Sequence, residues 1–232
     1  MLSAKVTKLV SALLTIVVFS GTICFADESN KRFNVGYKVI DIPAPSNDTD
    51  AKPLTVAVWY PTKATPKPYV YGGPTSGMAA VDAPIDDDHG PYPLLVFSHG
   101  YGGSGLSAVF FTEKLASHGW IVAAPDHHDN VSAVRIRDGF QKNFNRWRLL
   151  RSAKQISNST PDDRAGSMYR VKEFKQALNG ILTQGPFKRQ IDQSKIAVGG
   201  HSYGGFTSLG ICGTMTDYFD PRVKAVLLFS TG

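Results

Sequence analysis

Short apolar runs recur along the chain and are separated by polar or amphipathic segments. A continuous apolar run, such as residues 94–97, is typical of a strand that is buried on both faces of a sheet. Runs of β-branched and aromatic residues bounded by Pro, Asn and Asp also indicate strands. Together these patterns predict strands at residues 35–40, 54–60, 94–97, 120–124, 195–198 and 223–229.

The first predicted helix covers residues 107–118 and ends at the C-cap Gly119. Its predicted inward residues are Val109 or Phe110, Phe111 and Leu115. By contrast, residues 61–92 are rich in Pro, Gly, Ala and Asp and have little periodicity. That segment is predicted to be a loop on the protein surface.

Two more helices are predicted nearer the C-terminus. Apolar residues recur at spacings of three and four from Met168 to Ile181, and Thr160 or Asp162 can cap this helix. A shorter helix is predicted at residues 206–213. Strands that alternate with helices predict an α/β fold with a mainly parallel sheet and helices on both faces.

The first residues resemble a targeting segment. Lys5 and Lys8 precede an apolar run that ends in Cys24-Phe25-Ala26, which has small residues at the two positions that signal peptidase recognises. We therefore expect a signal peptide at residues 1–26, one α/β domain at residues 27–232, and a secreted or periplasmic protein. The alternative is an uncleaved membrane anchor, although the apolar run is short for a spanning helix.

Composition narrows the choice of partners. The chain has 232 residues and a formal net charge of +6, which becomes +4 when Lys5 and Lys8 are removed with the signal peptide. This modest basic excess is compatible with anionic surfaces but does not indicate nucleic-acid binding. Cys212 is then the one remaining cysteine, so no internal disulfide is expected. The sequence has no zinc-ligand spacing, P-loop or dinucleotide-binding glycine pattern.

Residues 200–204 form the pattern Gly-His-Ser-Tyr-Gly between a predicted strand and a predicted helix. A sharp strand-to-helix turn of this kind strains the backbone, so the residues around the serine must be small. Gly200 and Gly204 meet that need, and Gly205 lets the helix pack close to the strand. We therefore predict that Ser202 is a catalytic nucleophile; the alternative is an ordinary glycine turn.

A second glycine-rich turn, Ser-His-Gly-Tyr-Gly-Gly at residues 98–103, directly follows a predicted strand. Such a turn supplies one backbone N–H of an oxyanion hole, and the residue after the nucleophile supplies the other. We predict that these donors are the N–H groups of Tyr101 and Tyr203. Together they would stabilise the negative oxygen of a tetrahedral intermediate. His99 is predicted to hydrogen-bond the loop rather than to act as a base.

Several motifs together resemble one branch of the α/β-hydrolases, which includes platelet-activating-factor acetylhydrolases, bacterial polyester hydrolases and dienelactone-hydrolase-like esterases. The resemblance covers roughly residues 33–232 and implies an α/β-hydrolase fold. It also implies hydrolysis of a small-molecule or lipid ester through an acyl-enzyme, with no metal or organic cofactor. The matching motifs are Trp-Tyr-Pro at 59–61, residues 94–103, Pro-Asp-His at 125–127, residues 191–196 and residues 200–205.

The resemblance also implies an acid and a histidine that follow the serine in the chain. After Ser202 the sequence contains no histidine, and its two acids, Asp217 and Asp220, precede the last predicted strand. We therefore expect a C-terminally incomplete domain, possessing the nucleophile but not its base, in which residues 223–229 form an exposed sheet edge. The alternative is a complete enzyme that recruits His127 or His128.

Residues 135–154 combine cations with aromatic residues at helical spacing. One interpretation is an amphipathic helix whose stripe of Phe140, Phe144, Trp147 and Leu150 packs on the domain. The other is a lid or interfacial helix that weakly contacts an anionic membrane surface. The cations are Arg135, Arg137, Lys142, Arg146, Arg148, Arg151 and Lys154.

Two other functions are compatible with the same motifs. The Ser-Tyr-Gly-Gly sequence at 202–205 also occurs in prolyl-oligopeptidase-like serine peptidases, although those usually have His-Gly-Gly-Pro where this chain has His-Gly-Tyr-Gly at 99–102. A non-catalytic binding module with a hydrolase fold would explain the lack of a histidine after Ser202. The favoured hypothesis is a secreted serine esterase.

Overall fold

The computed structural model describes residues 32–159 and 166–231. The predicted signal peptide and the predicted caps Thr160 and Asp162 lie outside the described residues. The main sheet contains β1 (Asn34–Ile42), β2 (Leu54–Thr62), β3 (Lys67–Gly72), β4 (Thr75–Val81), β5 (Tyr92–Ser98), β6 (Ile121–Pro125), β9 (Ile191–His201) and β10 (Val223–Phe229). A small hairpin contains β7 (Val134–Arg135) and β8 (Gly139–Phe140). The helices are α1 (Val109–Ala116), α2 (Arg146–Ser157), α3 (Met168–Thr183) and α4 (Tyr203–Leu209).

The main sheet has the strand order β10-β9-β5-β6-β2-β1-β4-β3. Strands β6, β5, β9 and β10 are parallel to one another, whereas β2 is antiparallel to both of its neighbours. Because β5 and β9 are adjacent and parallel, their carboxyl ends meet at the same edge of the sheet. Ser98 pairs with Gly200 there, which brings the turn after β5 beside the turn after β9.

Helices cover both faces of the sheet, as predicted. Leu94 and Val96 of β5 pack in the same cluster as Phe174 of α3. The intervening residues of β5, Leu95 and Phe97, point to the opposite face, where side chains of α1 cover them. This alternation is the expected consequence of a strand that is buried on both sides. The predicted α/β class and mainly parallel sheet are confirmed.

The prediction of a surface loop at residues 61–92 is wrong, because this segment contains the hairpin of β3 and β4. Strand β4 pairs parallel with β1, and β3 forms the outer edge. Gly73 has a φ of +57° and makes the turn between the two strands. Tyr71 is buried and packs edge-on against Tyr37 at 4.7 Å between ring centroids. The Pro and Gly content obscured this strand pattern.

Two further elements differ in detail from the prediction. In α1, Val109 is buried and Phe110 is 81% exposed. Of these two residues, Val109 is therefore the one that faces inward. Helix α4 begins at Tyr203, immediately after the glycine-flanked serine, and is followed by a π-helical turn at Gly210–Thr214. The predicted helix at residues 206–213 is therefore shifted toward the serine.

Strand β10 forms the other edge of the sheet among the described residues. Its pairing partner is β9, and Val226, Leu228 and Phe229 are each at least 40% exposed. This agrees with the expected exposed edge.

Candidate active site

The backbone at Ser202 is strained, as the sequence predicts for a sharp strand-to-helix turn flanked by glycines. Ser202 joins β9 to α4 with a φ of 53° and a ψ of −119°, a conformation that costs roughly 1–3 kcal/mol for a residue other than glycine. A Cβ atom at Gly200 would overlap the backbone of Gly204, and one at Gly204 would overlap the carbonyl of Ser98. The turn is therefore compatible only with glycine at both flanking positions.

The Ser202 side chain is exposed at the edge of the sheet. Its backbone N–H donates to the carbonyl of Phe229 at 2.8 Å, which fixes the turn against β10. Within residues 32–159 and 166–231, the Ser202 hydroxyl makes no hydrogen bond. It is therefore open to a ligand from the solvent side.

The turn after β5 lies directly against Ser202. A Cβ atom at Gly100 would be 3.5 Å from the Cβ of Ser202. The rings of Tyr101 and Tyr203 meet edge-on at 5.9 Å between centroids. Because Tyr203 is the first residue of α4, its N–H has no carbonyl partner within the helix. The fold thus brings together the three residues predicted from sequence.

A buried ion pair supports this turn and was not predicted. Arg170 of α3 and Asp129 form a salt bridge with both side chains fully buried. Nε of Arg170 also donates to Oδ1 of Asp129 at 2.9 Å. Burial alone raises the pKa of Asp129, but the Arg170 guanidinium outweighs it and holds that pKa well below its usual range.

The sequence did contain a signal for Arg170. It lies one turn before Phe174 on the buried face of α3, where the periodicity calls for an apolar residue. A cation in that stripe must be paired, since an isolated buried charge is very costly. Only the three-dimensional structure identifies its partner as Asp129, because the two residues are far apart in the chain.

His127 and His128, the alternative candidates for the catalytic base, hydrogen-bond to residues other than Ser202. Nε2 of His127 is 2.9 Å from the Ser98 hydroxyl, and its Nδ1 is 2.9 Å from Oε2 of Glu173. Nδ1 of His128 is 2.8 Å from the other oxygen of Glu173. Burial alone raises the pKa of Glu173, but the hydrogen bonds from both histidines outweigh it and lower the pKa to about 2. Neither histidine is hydrogen-bonded to Ser202.

His99 is fully buried and hydrogen-bonds the loop. Its Nδ1 is 2.7 Å from the carbonyl oxygen of Gly100, and its Nε2 accepts from the backbone N–H of His127 at 3.2 Å. Burial, reinforced by the nearby Arg170 charge, holds the pKa of His99 well below its ordinary value. His99 is therefore neutral at pH 7.

Neither of the two acids that follow Ser202 is hydrogen-bonded to its hydroxyl within the described residues. Asp217 lies in a 3₁₀ helix at Thr216–Tyr218. Asp220 is buried and accepts from Nε of Arg222 at 2.8 Å, a hydrogen bond that lowers the pKa of the carboxyl group. Among the described residues, no carboxylate and no imidazole is hydrogen-bonded to the Ser202 hydroxyl.

A polar cavity of about 380 Å³ opens beside the two tyrosines, Tyr101 and Tyr203. Helix α2 forms one wall of it through Ser152, Gln155 and Ile156. Leu149, also on this inner side, lies so close to the turn that a Cβ at Gly102 would overlap it. Helix α2 therefore partly covers the candidate site.

The outer side of α2 is exposed, and this contradicts the interpretation in which the aromatic stripe packs on the domain. The predicted stripe is not on one helix, because Phe140 lies in β8 and Phe144 precedes α2. Phe140, Phe144, Trp147 and Leu150 are 65%, 37%, 76% and 49% exposed. Helix α2 has no fully buried residue. The reason is that its packing face contains Leu149, Ser152 and Ile156 instead.

The cations around α2 fall into two groups. Arg135 donates to the carbonyls of His127 and Asp129, and Arg137 pairs with Asp41. The remaining five are exposed and form no ion pair with any described residue. They are Lys142, Arg146, Arg148, Arg151 and Lys154.

One group of carboxylates among the described residues could hold a metal ion, namely Asp86, Asp87 and Asp88. Lys63 and His89 already bind Asp86 and Asp88. This cluster lies between β4 and β5 and includes no residue of the candidate site.

Comparison with known proteins gives one family match and several related sequences. The sequence profile of the family described as platelet-activating factor acetylhydrolase, isoform II, matches residues 70–186, just over half of the chain. Platelet-activating factor acetylhydrolase from Bos taurus is 32% identical over 136 residues, which cover 50% of this chain and 31% of that protein. The corresponding protein from Canis lupus familiaris is 33% identical over 138 residues, covering 51% and 31%. The chain therefore spans about a third of the length of these relatives.

Solved structures share the fold. A ferulic acid esterase from Streptomyces cinnamoneus superposes with a TM-score of 0.58 and 24% identity, covering 87% of this chain and 66% of that one. A bacterial heroin esterase gives a TM-score of 0.51 and 19% identity, covering 86% and 45%. At these identities the likeness shows an α/β-hydrolase fold.

Proposed function

Because the chain belongs to the family of platelet-activating factor acetylhydrolase, isoform II, we propose that it is a serine hydrolase of carboxylic esters. The observation that supports this most directly is the strained Ser202, which lies against the turn containing Tyr101. In the reaction, the Ser202 oxygen attacks the ester carbonyl and the alcohol leaves. Water then hydrolyses the acyl-enzyme and releases the acid.

The N–H groups of Tyr101 and Tyr203 are assigned to the oxyanion of each tetrahedral intermediate. Loss of one such donor typically reduces the rate by about 10²–10³-fold. We assign no general base, because no described histidine is hydrogen-bonded to Ser202.

Replacement of the nucleophile tests the assignment. We expect Ser202→Ala to abolish hydrolysis of a p-nitrophenyl ester and labelling by a fluorophosphonate probe, because the attacking oxygen is removed. Ser117→Ala, at the exposed end of α1, is the matched control and should keep both activities. Equal turnover by wild type and Ser202→Ala would show that Ser202 is not the nucleophile.

The same two assays, together with a peptide p-nitroanilide as a second substrate, separate the alternative functions. A non-catalytic binding module would leave Ser202 unlabelled by the fluorophosphonate probe. A peptidase would cleave a peptide p-nitroanilide as well as the ester. The favoured hypothesis requires labelling at Ser202 and hydrolysis of the ester without cleavage of the anilide.

We also propose that the outer side of α2 makes a weak contact with an anionic membrane surface. Exposed Trp147 and Leu150, beside cations that form no ion pair with the described residues, form the type of face that inserts at a lipid interface. Each such cation near an anionic surface contributes about 1 kcal/mol. The inner side of α2 lines the cavity beside Tyr101 and Tyr203, so lipid esters would meet the site there.

Vesicle binding tests this contact. We expect more protein to co-sediment with phosphatidylcholine–phosphatidylglycerol vesicles than with phosphatidylcholine alone, and Trp147 emission to shift to the blue on binding. Arg151→Gln with Lys154→Gln should weaken the binding, whereas Lys67→Gln, an exposed cation on β3, should not. Equal binding to both vesicle types would refute a role for the cations.

Export is part of the same hypothesis and depends on residues 1–26, which lie outside the described residues. N-terminal sequencing of the exported protein is expected to begin at Asp27. A mature protein that starts at Met1 would support the anchor alternative. The structure contains no helix within its described residues that is long and apolar enough to cross a membrane.

A further inference from the structure

The carbonyl of Gly100 and the N–H of Tyr101 belong to one planar peptide unit, so they point in opposite directions. Three groups bind the carbonyl oxygen of Gly100: Nδ1 of His99 at 2.7 Å, the N–H of Gly103 at 3.1 Å, and Nη2 of Arg170 at 3.2 Å. The N–H of Tyr101 makes no hydrogen bond with any residue in the described ranges. Its direction is therefore determined by what holds the carbonyl.

The same guanidinium contacts both sides of the candidate oxyanion hole. Nη1 of Arg170 donates to the carbonyl of His99 at 2.6 Å, at the start of the turn. The guanidinium carbon of Arg170 also lies 5.0 Å from the ring centroid of Tyr203, within cation–π range. One fully buried side chain thus links the turn after β5 to the residue after the serine.

Asp129 fixes the guanidinium and the turn at once. Besides the ion pair with Arg170, its Oδ1 accepts from the Tyr169 hydroxyl at 2.7 Å. Its Oδ2 accepts from the N–H of Gly102 at 2.9 Å, so the carboxylate also binds the turn directly. The charges of both residues are therefore neutralised without solvent.

His99 completes the arrangement through its tautomer. Because Nε2 accepts the N–H of His127, the single ring proton lies on Nδ1 and is donated to the carbonyl of Gly100. A carbonyl that accepts from His99, Arg170 and Gly103 cannot exchange places with the Tyr101 N–H without losing all three bonds.

We propose that Arg170, held by Asp129, is a positioning residue that orients the Gly100–Tyr101 peptide and the Tyr203 ring so that both backbone donors face Ser202. The oxyanion role of these donors rests on the proposed function. The orientation of the peptide does not. Arginine is required because its planar fork serves the two carbonyls and the carboxylate together, whereas an ammonium group is a compact point charge.

Steady-state kinetics provide the first test. We expect Arg170→Met to lower kcat for a p-nitrophenyl ester by about 10²-fold, the cost of one oxyanion donor, with KM changed by less than about threefold. Arg170→Lys keeps the charge but not the planar guanidinium. Its kcat should therefore lie between those of Arg170→Met and wild type. Val171→Ala is the control, because it truncates a buried side chain of the same helix that belongs to the apolar cluster around Phe174.

Amide hydrogen exchange provides a second test that does not require turnover. The N–H groups of Gly102 and Gly103 bind Asp129 and Gly100, whereas that of Gly105 binds Asp126 independently at 2.7 Å. In folded Arg170→Met we expect exchange at Gly102 and Gly103 to be at least about tenfold faster than in wild type, with Gly105 unchanged. Val171→Ala should not produce this pattern.

The outcomes separate the two hypotheses. If wild type hydrolyses no ester, the proposed function fails, and the exchange pattern still decides whether Arg170 orients the turn. Unchanged exchange at Gly102 and Gly103 in Arg170→Met would overturn the positioning role. An equal loss of kcat in Val171→Ala would also overturn it, because general destabilisation would then explain the effect.

Discussion

The turn at residues 99–105 and helix α2 are neighbours, but they are attached to the protein in opposite ways. The turn is held by buried charged groups, with Asp129 and Asp126 accepting its N–H groups and Arg170 bound to its carbonyls. Helix α2 has no fully buried residue, and its largest side chain, Trp147, is mostly exposed.

This difference matches the two tasks proposed for these segments. Oxyanion donors act only if they are in place before the reaction, which requires a rigid support. A face that contacts lipid must instead leave its apolar groups in solvent until the lipid is met. The contrast predicts that substitutions around the turn have large effects on stability and that those on the outer side of α2 have small ones.

The largest effect is expected from Asp129→Asn. The variant keeps the shape of the side chain but leaves the Arg170 charge buried without a partner, which typically costs about 3–5 kcal/mol. The free energy of unfolding from urea denaturation measures this loss. As a control, Asp41→Asn removes an ion pair with Arg137 that is more than half exposed, and it should cost less than about 1 kcal/mol. Similar losses of unfolding free energy in the two variants would show that the buried ion pair stabilises the protein no more than the exposed one.

An intermediate effect is expected from pH. The pKa of Glu173 is lowered from 4.5 to about 2 in the folded protein, so its ionised form stabilises the fold fully above pH 4.5. As the pH falls from 4.5 toward 2 this contribution is lost, up to about 3 kcal/mol. Unfolding measured across this range should be less dependent on pH in Glu173→Gln than in wild type. An unchanged pH dependence would show that the carboxylate is not held by His127 and His128.

The smallest effect is expected from Trp147→Ala. Because the indole is 76% exposed, its removal should change the free energy of unfolding by no more than about 0.5 kcal/mol. Thermal or urea unfolding gives the measurement, and vesicle binding of the same variant should decrease. A loss of several kcal/mol would mean that the indole packs against the protein.

Much of the fold was predictable because its signals are local. Strand 223–229 was predicted with the same bounds as β10, and the glycines around Ser202 identified the strained turn. The hairpin of β3 and β4 was missed because Pro and Gly masked a strand whose stability comes from pairing with β1. Strand pairing between distant segments leaves a weaker pattern in sequence than a helix does.

The sequence by itself determined that Ser202 occupies a turn that only flanking glycines allow, and that a second glycine turn follows β5. It did so because steric limits on the backbone act over a few residues. Only the tertiary structure decided that Arg170 and Asp129 form a buried pair under that second turn. It also decided that Leu149, rather than Trp147, faces the protein. These choices depend on which side of each helix the sheet meets, and that side is determined by packing between segments distant in the chain.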